Sequence, residues 1–229
     1  MKAECSRTRG IAMRRVAWTL CLVGWLAGGV AVAQGGGERY VVDAKQSDLH
    51  WLVYKAGTLS RLGHNHTIAA GDLGGSVMVN TGDVSASRFE LEFSVANLVV
   101  DDPMLRGKLG AEFASVPTAD DIAGTKKNML SDRVLDGEKH PRIRIVGTGP
   151  MAREGKQSLA VKVELLGRMV DLTVPTEVAI DGGELRAKGE FELNHADLGM
   201  EPFTVMLGAL AVGEKLSFSY DLKARREAR

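Results

Sequence analysis

Cysteine is nearly missing from this chain of 229 residues: Cys5 and Cys21 are the only two, and none follows position 21. A disulfide framework, a thiol nucleophile and a cysteine-ligated metal are thereby excluded for residues 34–229. An excess of either charge is missing as well, since 29 Lys and Arg face 29 Asp and Glu. No concentrated basic stretch exists to track a phosphate backbone, so nucleic acid is not an expected partner. The chain also lacks a nucleophile elbow, an HExxH helix, a P-loop and a dinucleotide-binding glycine pattern. The one extended hydrophobic run, Val16–Val30, has fifteen residues, and a helix needs about 20 to cross a bilayer.

That run does have an order of its own. Basic residues end at Arg14-Arg15, the apolar stretch follows, and Ala31-Val32-Ala33 supplies small residues where a signal peptidase reads. Charged, apolar and A-x-A segments in this sequence describe a secretory signal cleaved before Gln34, so a periplasmic location is expected; an uncleaved membrane anchor is the alternative. Residues 1–33 carry five of the basic side chains and one of the acidic ones. Removing them leaves 24 against 28, a net charge of −4. The remaining 196 residues, without disulfides, must be held together by burial, and they are numerous enough for one domain. Residues 34–38 read as a flexible exit, 39–224 as the domain, and 225–229 as a charged tail.

Within the domain, a period of two dominates. Phe89, Leu91, Phe93 and Val95 alternate with Arg88, Glu90, Glu92 and Ser94. Leu185, Ala187, Gly189, Phe191 and Leu193 alternate with Arg186, Lys188, Glu190 and Glu192, and Leu216, Phe218, Tyr220 and Leu222 follow the same rule. Strict alternation puts one face in an apolar interior and the other in water, as in antiparallel sheet. Glycine-containing turns at Thr81–Asp83, Arg153–Lys156 and Asp181–Gly183 separate the runs. About ten such strands predict a mainly β fold, an antiparallel up-and-down barrel. Its inward set, Phe89, Leu91, Phe93, Ile143, Ile145, Phe191, Leu193 and Phe218, either fills the barrel or lines a ligand site. The low aromatic content of 5% and the small inward residues Ala187 and Gly189 favour room.

One stretch breaks the rhythm. Asp102-Pro103 and Thr118, with Asp120 and Asp121 behind it, are helix-start signals, so about residues 103–133 form a helical insertion. It lies either across a barrel mouth or over a sheet edge.

Histidine is the remaining source of chemistry. His64 and His66 lie two apart in a predicted strand, His64–Ala69, and so share the face of Ile68; His195 has the parity of Phe191 and Leu193. Three inward imidazoles suit a ligand head group or a divalent metal. Alternatively they bond to backbone or to a carboxylate such as Asp43. His50 has no clear parity, and His140, before Pro141, reads as exposed.

Four stretches together resemble the YceI-like family of exported lipid- or polyisoprenoid-binding proteins. They are Tyr40-Val41-Val42-Asp43 through Ser47, Val134 through Ile143 with His140-Pro141, Leu166 through Val174, and Asp197-Leu198-Gly199 through Leu210. The resemblance spans about Tyr40 to Ala224, with Leu198 standing where an aromatic is usual. It implies a lipocalin-like barrel with an apolar tunnel for an isoprenoid chain and a role that is not chiefly catalytic. The expected function is accordingly a non-enzymatic carrier of an isoprenoid lipid or quinone, with a transient membrane contact. A metal-dependent or histidine-based enzyme on the same barrel, using His64, His66 and His195, is the alternative. Oligomeric state is left open.

Overall fold

The computed structural model describes residues 37–228. The expected signal segment and cleavage point lie outside the described residues. Strands β1 (Gly37–Val42) and β2 (Asp48–Ala56) open the fold, followed by β3 (His66–Ala70), β4 (Gly74–Asn80), β5 (Arg88–Ser94) and β6 (Leu98–Val100). An insert carrying helices α1 (Pro103–Arg106) and α2 (Ala119–Leu130) separates β6 from β7 (Arg142–Thr148). The chain continues through β8 (Glu154–Leu165), β9 (Arg168–Asp181), β10 (Glu184–Asn194), the short β11 (Thr204–Val205) and β12 (Leu210–Arg226).

Eight strands close a ring in the order β1, β4, β5, β7, β8, β9, β10, β12, and β12 pairs back onto β1. The mainly β, antiparallel, lipocalin-like barrel expected from the alternation is therefore present. Its order is a plain meander only from β7 to β10. Strands β2, β3 and β6 branch from the first half of β12, which pairs with β10 on one edge and with β2 and then β1 on the other.

Local chemistry explains the joints. Leu166-Gly167 and Gly182-Gly183 join β8–β9 and β9–β10, all four with left-handed φ between 53° and 89°, the two-residue turn that suits twisted hairpins. The turn expected at Arg153–Lys156 is displaced: β8 already begins at Glu154, and Gly155 pairs with Val178. Residues 37 and 38 are not a flexible exit, because Gly37 pairs with Asn80 and Glu38 with Val79. The tail is likewise shorter than expected, since Arg225 and Arg226 pair with Val41 and Tyr40.

The insert carries two helices, one at each start signal. Asp102 caps α1 by accepting from the Met104 and Leu105 N–H groups, and α1 ends after four residues at Gly107. Thr118 and Asp121 form a reciprocal capping box on α2. Ile122, Met129 and Leu130 of α2, with Val134 behind it, pack onto the main core cluster.

Candidate functional site

The two ends of the barrel interior differ. Where β1 meets β12, Tyr40, Val77, Val79, Met151, Leu185 and Ala224 form a compact buried cluster. Val77, Met151, Leu185 and Ala224 of this cluster also form the floor of an apolar-lined cavity of about 440 Å³ that extends towards α2, within the roughly 300–1,000 Å³ range of small-molecule sites. Phe89, Leu91, Phe93, Ile143, Ile145, Phe191, Leu193 and Phe218 all line it, as do Thr125, Asn128 and Met129 of α2. The helix thus covers the hollow end rather than a remote edge.

A row of rings crosses the wall. Phe191 and Phe218 stack at 5.1 Å and 7°, Phe218 and Trp51 at 5.9 Å, and Trp51 meets Phe93 at 6.5 Å. Trp51, with Leu49 and Val53, was hidden in the sequence because β2 is apolar on both faces. The structure supplies the reason: the outer face is covered too, with Phe113 of the insert edge-on to Tyr54 at 6.0 Å. His50 then faces away from the cavity lining and pairs with Asp48 at 2.5 Å.

Of the two small inward residues, Ala187 lines the cavity, but Gly189 does not leave the room expected of it. A Cβ at Gly189 would lie 2.6 Å from the Tyr220 hydroxyl oxygen and 2.3 Å from the Pro175 carbonyl oxygen. Gly189 instead lets the Tyr220 phenol lie across the wall, where its O–H donates to the Pro175 carbonyl at 2.9 Å and meets Thr176 Oγ1 at 2.7 Å. Just here the β9–β10 backbone pairing ends, at Glu177–Lys188. Gly147 is similarly occupied by the Phe89 ring.

The polar part of the cavity gathers around His64 and His66, whose rings lie 6.2 Å apart. His64 is not in a strand; β3 starts at His66, and the preceding turn carries His64 to the cavity. Its Nε2 is 3.7 Å from Asp121 Oδ2 and its Nδ1 is 3.3 Å from Ser115 Oγ. His66 Nδ1 donates to Asp101 Oδ2 at 2.6 Å, because a carboxylate only accepts, leaving Nε2 facing Thr125 Oγ1 at 3.4 Å.

Asp101 is the centre that sequence reasoning missed. It is 3% exposed, and its other oxygen accepts from the Thr67 N–H at 3.0 Å and Arg106 Nη1 at 2.6 Å. Burial alone would raise its pKa. The His66 and Thr67 hydrogen bonds and the charges of His66 and Arg106 outweigh that, holding the carboxyl below its ordinary value. Arg106, 8% exposed, directs its other three Nη hydrogens to the carbonyls of Asn65, Phe113 and Ser115. Asn65 ties Lys55 N–H to the Glu112 carbonyl. The histidine partner is therefore Asp101, not Asp43, which instead caps a turn by accepting from the Lys45 N–H and the Gln46 amide. A doubled aspartate before Pro103 was the available signal: one residue caps α1, and the other, at φ 56°, adopts the left-handed conformation that aspartate tolerates.

His195 lines the same cavity but does not join the pair. It starts the turn after β10, buried, its Nδ1 donating to the Glu214 carbonyl at 2.9 Å. His66 aligns with Val53, Val53 with Leu216, and Leu216 with Leu193. Three inter-strand steps thus put roughly 14 Å of wall between the His66 and His195 sites. Among the described residues, no three His, Cys, Asp or Glu side chains are arranged to hold a metal. His140 is not exposed either; it packs half-buried beneath the Gly167 turn.

The YceI-like domain matches residues 40–224. The chain belongs to the YceI-like family. Its characteristic stretches fall at structural joints. Tyr40 is core; the Ser47 hydroxyl both donates to the Lys223 carbonyl and accepts from the Lys223 N–H; Gly199 ends a capped turn with φ 65°. No curated protein matches the chain. Among solved structures, a polyisoprenoid binding domain from Saccharophagus degradans, implicated in plant cell wall breakdown, superposes with a TM-score of 0.56 at 13% identity, covering 82% of this chain and 98% of that one. BcnA from Burkholderia cenocepacia gives 0.57 at 12% identity, covering 80% and 98%. At such identities the likeness is one of fold.

Proposed function

We propose that this protein is a non-enzymatic carrier, exported to the periplasm, that holds a long apolar molecule such as a polyisoprenoid or quinone in its barrel. The observation that carries this is the cavity of about 440 Å³ walled by aliphatic and aromatic side chains, with polar groups gathered towards one end. Transferring an apolar chain there from water is favourable by about 25 cal/mol per Å². His64 and His66, with Thr125 and Asn128, supply the polar contacts for a head group. Family membership and the description of the Saccharophagus degradans domain as polyisoprenoid-binding support the same reading. The Ala31-Val32-Ala33 pattern supports export.

Organic extraction and mass spectrometry of the purified protein, beside elemental analysis, tests the proposal. An apolar molecule near one per chain is expected. Leu91→Glu should lose it, because an inward carboxylate would be desolvated without a partner. Protein that carries a stoichiometric metal and takes up no apolar molecule would sink the reading. Intact mass of the exported form should show loss of residues 1–33.

A further inference from the structure

Five large hydrophobic residues are more than half exposed among the described residues, and four of them surround the mouth of the cavity. Leu207 is fully exposed; Val116, Met206 and Leu62 are 86%, 66% and 64% exposed. Two segments bring them together. The turn at 206–209 precedes β12, and the loop 57–63 follows β2; the Leu59 N–H donates to the Ala209 carbonyl at 2.7 Å, and Gly57 lies against the Gly208 and Ala209 carbonyls. Val116 follows Ser115, which bonds His64. Gly63, His64, Phe203, Val205 and Leu210, the neighbours of these tips, line the cavity.

The presentation is built in. Met206 and Leu207 are consecutive bulky residues with φ of 51° and 55°, a conformation that costs a side chain unless its surroundings impose it. The turn is imposed by the Ala209 N–H to Met206 carbonyl bond at 3.1 Å and the Val212 N–H to Phe203 carbonyl bond at 2.9 Å. Arg133 braces it from the insert, its guanidinium 4.3 Å over the Phe203 ring and bonded to the Thr204 carbonyl. Arg61 lies in the loop alongside, next to Leu62.

We propose that this apolar tip docks the barrel mouth onto a lipid bilayer, placing Leu207, Met206 and Leu62 among the acyl chains and Arg61 and Arg133 at the phosphates. A handful of convex side chains is far below the roughly 800 Å² per partner of a standard protein interface, whereas shallow apolar insertion beside cationic groups is how peripheral proteins hold a membrane. The inference rests on the carrier reading for what passes through the mouth, and on the tip alone for the docking.

The test uses the exported form, which after loss of residues 1–33 has no cysteine of its own, carrying a nitrobenzoxadiazole label at Leu207→Cys or, at the far end of the barrel, at Glu184→Cys. Adding phosphatidylethanolamine–phosphatidylglycerol vesicles should shift emission to the blue and raise it several-fold at 207, with quenching by spin-labelled lipid, and leave 184 unchanged. A label at Leu62→Cys should lose most of its response when Leu207→Asp is added. No response at 207, or an equal response at 184, overturns the proposal. So does a response that follows protein concentration without vesicles, which would make the tip a contact between copies. Uptake of N-phenylnaphthylamine in vesicle-free solution reads the cavity separately, so a failed tip and a failed carrier are told apart.

Discussion

The two ends of this barrel are stabilised by different physics. Around Tyr40 and Val79 the interior is filled, each side chain at most 1% exposed, with Leu185 and Ala224 beside them as the floor of the cavity. Around His66 the interior is hollow, and order comes from a buried ion pair between Asp101 and Arg106 with four surrounding carbonyl and N–H bonds. A filled end gains stability from packing. A hollow end forgoes that gain and holds its wall from outside, through the insert. The difference teaches why a binding barrel needs an insert at all.

The comparison breaks most visibly at Asp101. Asp101→Asn leaves Arg106 charged and buried without its partner, which should cost about 3–5 kcal/mol in urea unfolding. Because the carboxyl is held below its ordinary value in the folded state, it contributes stability above the unfolded-state pKa of an aspartate. That contribution disappears as pH falls through the lower folded value. Stability of the wild type should therefore drop with acid below about pH 4, and Asp101→Asn should flatten that part of the profile.

Truncation should separate the two ends next. Val79→Ala, in the filled end, is expected to cost about 2–3 kcal/mol because it opens a cavity in packed surroundings. Leu172→Ala only enlarges a space that already exists and should cost about 1 kcal/mol, the share of transfer energy a half-buried side chain supplies. Equal losses would mean that the hollow end is packed in solution. Gly189→Ala is a more local probe. Its methyl group would displace the Tyr220 phenol, costing about 1–3 kcal/mol and releasing the Pro175 carbonyl. Near-ultraviolet circular dichroism should register the moved ring. Smallest of all, Glu92→Lys breaks only an exposed pair with Arg142 and should leave unfolding nearly unchanged.

Much of this architecture is legible in the residues. Wherever one face of a strand meets water, as in β5 and β10, the period of two gives both orientation and lining residues, because each register step reverses the side chain. The rule fails where the insert makes both faces dry, which is why Trp51 was invisible beside Leu52 and Tyr54. It fails also for His64, which reaches the cavity from a turn, and for Asp101, whose partners His66 and Arg106 are united only by the fold. Gly189 was legible as small but not as filled, since the Tyr220 ring that occupies its place comes from a strand 31 residues further on.

One feature of the ring governs when it can exist. Strand β12 is the last of the described elements, yet it pairs with β10, with β2 and with β1. A chain emerging N-terminus first, whether from a ribosome or through a translocation pore, therefore holds seven of the eight ring strands with no means of joining their ends until residues 210–226 are free. Closure is a late, single event with long loops to tie, so it should be slow relative to local hairpins such as β8–β9. Until then the chain stays open and threadable, and the cavity comes into being only with the final strand.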